Sequence, residues 1–259
     1  MRVLFLTHSY PRAPGDAPGA FLLHLAVALR REGVDVSVVA PAGEALPADE
    51  VLEGIPVHRF RYAPRRYQRL AYTGQMAEEV NRSLSAKFAL LGFLGSEFAS
   101  GARVRRAFNP AVVHAHWWFP GGLVGSWVSG LGGIPLVTTM HGSDVRLAAG
   151  NSLARALMRR ILASSRAVTT VSEWMAREVR AIAPKCEPVV SPMPVATDLF
   201  APGHGRHESR LLFVGRLNEQ KGLAHLLEAL ARMTRRPALD VIGDGADAAA
   251  LRAQAERLG

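Results

Sequence analysis

The sequence predicts an α/β fold built on a parallel sheet. Short β-branched runs alternate with helical patterns along most of the chain. Those runs are apolar almost throughout rather than at every second position, the pattern of strands covered on both faces. After a proline-rich break the same alternation restarts near residue 208. At about 150 residues per domain, 259 residues make one large domain or one and a half.

Taken in order, strands are expected over 2–7, 34–40, 111–115, 136–140, 167–171 and 189–191. Helices are expected over 21–31, 76–108 (broken near Gly92 and Gly95), 122–129, 153–163 and 173–181, where apolar residues recur every three or four positions. The 24 residues from Trp117 to Met140 carry no charge, but six glycines and prolines at 120 and 135 divide them. They read as loop, short helix, turn and strand rather than a membrane span. A first domain is therefore expected over 1–190. Residues 191–207 hold Pro192, Pro194, Pro202 and Gly203 and read as a stiff linker. A partial second domain over 208–259 follows, with strands at 210–214 and 239–242 and helices at 223–233 and 246–258.

The net charge of +9 points to phosphate-bearing partners. Nucleic acid is excluded as the partner because neither zinc-finger spacing nor a basic region joined to heptads occurs. One cysteine, Cys186, allows no intramolecular disulfide, which fits a reducing compartment. The N-terminal apolar run is too short for a signal peptide, so a cytoplasmic location is expected. In the segment from Tyr62 to Tyr72, arginines interleave with aromatic and apolar residues. That pattern fits either a solvated face or docking on the anionic inner face of a membrane.

The run Phe213-Val214-Gly215-Arg216-Leu217-Asn218-Glu219-Gln220-Lys221-Gly222 carries the most chemistry. A strand stops at Gly215, two cations follow five residues apart, and a helix begins after the second glycine. Two cations and a helix N-terminus aimed at one place suit a diphosphate. The loop after the first strand lacks the G-x-G-x-x-G turn of dinucleotide-binding proteins, which argues against a nicotinamide or flavin enzyme. Gly19, at the start of the next helix, either admits an anion close to the backbone or simply opens the helix. His141-Gly142-Ser143-Asp144 follows a strand at the sheet edge where ligands bind in open α/β folds. There His141 serves either as a hydrogen-bonding group or as a structural one, and Asp144 as a helix cap or a partner for a hydroxyl. His114 and His116 share one side of a strand, but no third ligand has matching spacing, so no metal site is expected. Trp117 and Trp118 form either a pocket wall or core. Gly243 and Gly245 suit a tight turn after the last strand.

In this order the motifs H-A-H-W-W-F-P-G-G, H-G-S-D, T-V-S-E-W-M, V-G-R-L-N-E-Q-K-G and V-I-G-D-G resemble the family 4 retaining glycosyltransferases, along nearly the whole chain. The resemblance implies the GT-B fold: a complete N-terminal Rossmann-like domain on the acceptor side and a second Rossmann-like domain that binds a nucleotide sugar. It implies that Arg216 and Lys221 bind the donor diphosphate and neutralise the leaving group, replacing a metal. His141 would contact the transferred sugar, and His116, Trp117 and Asp144 would lie on the acceptor side. Gly19 and Gly215 would let the backbone approach the donor, and Gly243 and Gly245 would lie near the nucleoside. No cofactor is implied beyond the nucleotide-sugar substrate; the acceptor is a glycan, a lipid or a small molecule.

Two features depart from the family. Its later motif, a Glu, seven residues and a second Glu, does not occur before Gly259, so the second domain is expected to be partial. The linker reads Pro192-Met193-Pro194 where an asparagine-containing turn is common. Other readings stay open: a non-catalytic module that binds acceptor or membrane, and another GT-B enzyme such as a nucleotide-sugar epimerase.

Overall fold

The computed structural model describes residues 1–43, 46–72, 76–195, 197 and 210–259. Two compact units divide the chain, Met1–Ala196 and Thr197–Gly259. Most of the expected linker, at 196 and 198–207, lies outside the described residues.

In the first unit the chain forms β1 (Arg2–Leu6), α1 (Ala20–Arg31), β2 (Asp35–Pro41), β3 (Asp49–Leu52) and β4 (Ile55–Phe60). Next come α2 (Met76–Arg82), α3 (Leu84–Phe108), β5 (Val112–His116), α4 (Leu123–Gly130), β6 (Leu136–Met140), α5 (Ser143–Gly150), α6 (Ser152–Ser164), β7 (Ala167–Thr170), α7 (Glu173–Ile182) and β8 (Val189–Val190). The strands form one sheet in the order β3-β4-β2-β1-β5-β6-β7-β8. Every pairing is parallel except β3 with β4. The apolar runs divide by the two-residue period of a strand. Leu4 and Leu6 of β1 join the core beneath α3 and α4, whereas Val3 and Phe5 join the core beneath α1. A third cluster, with Met140, Met158, Ile161 and Val179, sits among α5, α6 and α7.

Helix starts follow local chemistry. Ser83, Asn151 and Ser172 accept hydrogen bonds from the amides of Ala86, Ala154 and Met175 at 3.1, 3.0 and 3.2 Å. Each such cap contributes about 1 kcal/mol. The break in the long helical pattern falls at Ser83, not at Gly92 or Gly95 as the sequence predicts. Gly92 is instead a contact residue: a Cβ there would overlap the Tyr62 carbonyl oxygen, so the missing side chain lets α3 lie against the end of β4.

The hairpin of β3 and β4 and the short helix α5 were not expected. Among the described residues no helix is long and apolar enough to cross a membrane. The uncharged stretch before Met140 folds as an irregular turn at Trp118–Gly122, then α4 and β6.

The second unit contains β9 (Arg210–Val214), α8 (Leu223–Ala231), β10 (Ala238–Ile242) and α9 (Ala248–Leu258), with β9 and β10 parallel. Leu217, Leu223 and Leu251 form its small core. Leu212, Val214 and Ile242 remain exposed on the sheet.

Candidate functional site

In a parallel sheet the carboxyl ends of the strands share one edge, and loops there collect functional groups. In the first unit the loops after β1, β5 and β6 bring together His8, Trp117 and His141. The Trp117 ring lies 4.2 Å from that of His8 and 4.3 Å from that of His141. Phe21, from the first turn of α1, meets His141 at 5.1 Å. His114 and His116 do share one side of β5, with ring centres 4.2 Å apart.

The polar contacts are specific. His116 Nδ1 and His141 Nε2 are 3.2 Å apart, so one ring donates and the other accepts. His114 Nε2 is 2.7 Å from the Thr139 hydroxyl, itself 2.6 Å from the Thr169 hydroxyl. His8 Nδ1, His116 Nε2 and His141 Nδ1 are buried without a protein partner. Burial disfavours the charged ring. It lowers His141 to about 3 and His8 and His114 to about 4, and it holds His116 well below the ordinary histidine value. All four rings are neutral near pH 7, so the cluster offers hydrogen bonds and aromatic surface rather than charge. Among the described residues no group of three or more His, Cys, Asp or Glu is arranged to hold a metal.

Asp144 is buried and braces the site. One carboxylate oxygen accepts from the amides of His141, Gly142 and Val145 at 3.2, 2.9 and 3.1 Å, and the other accepts from Trp118 N at 3.2 Å. Burial raises its pKa, against the opposing pull of these four donors. The Trp118 indole donates to the Asp144 carbonyl at 2.7 Å, which ties the loop after β5 to the turn after β6. Asp144 stands within the first turn of α5, whose N-cap is Gly142, and its oxygens accept from backbone amides. Gly19 opens α1 at φ +75°, and a Cβ there would stand 2.5 Å from the Ser9 carbonyl oxygen. The positive φ and the close Ser9 carbonyl each call for glycine at that position.

In the second unit the loops after β9 and β10 lock together. Leu217 N donates to the Asp244 carbonyl at 2.9 Å, and Asp247 N to the Leu217 carbonyl at 3.0 Å. A Cβ at Gly243 would overlap the Gly215 carbonyl, and one at Gly245 the Leu217 carbonyl. Gly215 differs: a Cβ there would meet only side-chain atoms, Phe213 at 3.6 Å and Lys221 Cδ at 3.9 Å. The Lys221 stem thus lies across Gly215. Arg216 and Lys221 are exposed, and among the described residues neither has an ion-pair partner. Gly222, at φ +71°, turns the chain into α8 immediately after Lys221.

Sequence reasoning missed His8, Phe21 and Arg59. His8 follows β1 just as His141 follows β6, so the strand-end argument finds it. Arg59 is a buried cation whose partners are distant in sequence. Its Nε is 2.7 Å from Glu50, and it donates to the carbonyls of Tyr10 and Pro11, fixing the loop after β1.

Residues 17–192 match the family described as glycosyl transferase 4-like domain. The chain belongs to this family. The chain is 26% identical to TuaC of Bacillus subtilis, named as a teichuronic acid biosynthesis glycosyltransferase, over 95% of its own length and 66% of the relative's. It is 30% identical to the D-inositol 3-phosphate glycosyltransferase of Corynebacterium diphtheriae, over 86% of its length and 55% of the relative's. The chain thus spans just under two thirds, or less, of these relatives. Among solved structures, Anabaena HepE in complex with UDP-glucose superposes with a TM-score of 0.69 at 18% identity, covering 100% of this chain and 66% of that one. At that identity the likeness speaks for the fold, which is α/β of the GT-B class.

Proposed function

We propose that this glycosyl transferase 4-like chain takes part in moving a sugar from a nucleotide-sugar donor to a glycan, lipid or small-molecule acceptor, with retention of configuration and without a metal. Arg216 and Lys221 carry the reading: two exposed cations, without ion-pair partners among the described residues, beside a glycine that the local packing does not require, ahead of α8. In the reaction the bond from the anomeric carbon to the diphosphate oxygen breaks, and the electron pair leaves with the diphosphate. The acceptor hydroxyl bonds to that carbon and passes its proton to the departing diphosphate oxygen. Negative charge develops on the diphosphate, where preorganised cations stabilise the transition state more than the ground state. Neutral His141 hydrogen-bonds the transferred sugar. His116 and Trp117 shape the acceptor side, Asp144 positions that loop, and the glycine turn at Gly243 and Gly245 lies near the nucleoside. HepE, solved with UDP-glucose, names the donor to try first.

The direct test is titration of UDP-glucose into the wild-type chain and into Arg216→Ala and Lys221→Ala. Loss of either cation should weaken binding clearly and lower turnover by about 10²–10³, the effect of removing one preorganised charge-stabilising donor. Unchanged binding in folded variants would refute the assignment.

For the setting, we place the protein in the cytoplasm on the inner membrane face. α3 exposes Leu84, Phe88 and Leu91 (72%, 72% and 65%) at positions i, i+4 and i+7 of one helical face. Arg82 and Lys87 stand beside them in sequence, and Arg66 and Arg69 line a groove against the start of α3. An apolar stripe among cations suits an anionic lipid surface.

A further inference from the structure

The carboxyl edge of the large sheet carries a second feature, one that donor chemistry does not use. The ends of β2 and β4 and the loop after β1 enclose a cavity of about 430 Å³ whose walls include Arg12, Arg61, Arg65, Gln68 and Tyr72. A second hollow of about 480 Å³ shares Arg12 and Gly43 with it, so the two adjoin.

The three arginines are not equivalent. Arg12 donates through Nε and Nη2 to the Asp16 carboxylate at 2.7 and 3.0 Å, so its charge is already compensated. Arg61 gives one guanidinium N–H to the Leu46 carbonyl at 3.0 Å. Among the described residues neither Arg61 nor Arg65 has a carboxylate partner. The wall behind them is fixed. The Tyr72 hydroxyl donates to the Pro41 carbonyl at 2.6 Å and accepts from buried Arg59 at 3.2 Å. Tyr72 also sits at φ +70°, which a bulky residue adopts only where its surroundings hold it. Guanidinium groups fork carboxylate and phosphate oxygens with matched geometry. Two uncompensated ones in a walled cavity therefore select an anion.

Position decides what the anion belongs to. The strand order places β4 four steps from β6, about 19 Å at about 4.8 Å per step. His141 follows β6, and the cavity lies past the end of β4. That span exceeds one sugar ring, so the group held by Arg61 and Arg65 is not the one beside His141. We propose that this cavity is a distal acceptor subsite that grips a phosphate or carboxylate on an acceptor several units long. Calling the ligand an acceptor rests on the glycosyl-transfer reading; its anionic character does not.

Calorimetric titration of the chain with tri-galacturonic acid, glucose 6-phosphate and neutral maltotriose tests this without any donor. At least one acidic ligand should bind about tenfold or more tightly than maltotriose, with the preference shrinking at high salt. A preference for tri-galacturonic acid assigns the anion to a glycan carboxylate, and one for glucose 6-phosphate assigns it to a phosphate ester. Arg61→Gln/Arg65→Gln, at exposed positions, should abolish the preference. Arg177→Gln/Arg252→Gln, which removes equal charge elsewhere, should keep it. Maltotriose binding as tightly as both acids, or a preference that survives in a folded Arg61→Gln/Arg65→Gln protein, would overturn the proposal. Failure of UDP-glucose to bind would remove the word acceptor and leave the anion site standing.

Discussion

Glycine carries different burdens at Gly215 and Gly245, although both lie in the loop that follows a strand. A side chain at Gly245 would strike the backbone of Leu217, and backbone cannot move aside cheaply. At Gly215 a methyl group meets only Phe213 and the Lys221 stem at ordinary contact distances. Gly245→Ala should therefore destabilise the chain by about 1–3 kcal/mol, the usual cost of overpacking, read as a lower midpoint in urea. Gly215→Ala should leave that midpoint nearly unchanged and weaken UDP-glucose binding, because it adds bulk and shifts Lys221 where the diphosphate is proposed to lie. Equal midpoints for the two variants would show that the loops after β9 and β10 are not locked as described. The sequence places these residues at strand ends but does not separate the two kinds of glycine, since the difference lies in which loop crosses which. The same holds for His141. Its place after β6 is legible from the T-T-M-H run, whereas its ring contacts with Trp117, Phe21 and His116 come from two other segments, the end of β5 and the start of α1.

At the scale of elements, legibility follows the strength of the local pattern. β1, β2, β5, β6 and β7 are short runs rich in apolar and β-branched residues, and each lies within a residue or so of where its run places it. The β3–β4 hairpin escaped because Pro56 sits in its second strand, and proline argues against a strand. Its turn is Glu53-Gly54, at φ +48° and +80°, rather than the usual Asn-Gly or Asp-Gly. α3 shows the reverse case: its helical period is plain, but not which residues stay uncovered. The buried face, with Phe93, Gly101 and Val104, packs on the sheet, while Leu84, Phe88 and Leu91 do not. If that stripe meets lipid, Leu84→Ser/Phe88→Ser/Leu91→Ser should cut sedimentation with phosphatidylserine-containing vesicles several-fold and leave binding to UDP-glucose intact. Equal sedimentation of the triple variant would remove the stripe from membrane docking. Loss of a concentration-dependent dimer instead would assign it to self-association.

For the whole molecule, the buried titratable groups set a stability profile with opposing arms. His8, His114, His116 and His141 have folded-state pKa values depressed from the ordinary 6.5, to about 4 or 3 where a value is defined. Groups of this kind stabilise the fold fully above pH 6.5, and that stability is lost as pH falls toward the folded values, because the unfolded chain takes up protons that the folded chain refuses. Glu97, on the buried face of α3, acts the other way. Both its carboxylate oxygens lack a partner, and burial pushes it up from 4.5 to about 8. Its contribution is present below pH 4.5 and is lost as pH rises to 8. Asp144, also raised, adds in the same sense. Between pH 5 and 6 the four histidines outweigh Glu97 by up to three protons, so stability should climb by as much as about 4 kcal/mol per pH unit. Above about pH 7 the unfolded histidines are mostly deprotonated too and Glu97 dominates, so the curve should turn over and decline gently toward pH 8. Urea unfolding followed from pH 5 to 9 would trace both arms. Glu97→Gln should flatten the alkaline arm and steepen the acid arm by up to about one proton, because a neutral amide has no proton to lose. His114→Asn should make the acid arm shallower by about one proton. An acid arm as steep in His114→Asn as in the wild type would mean that His114 is not held neutral by burial in the folded chain.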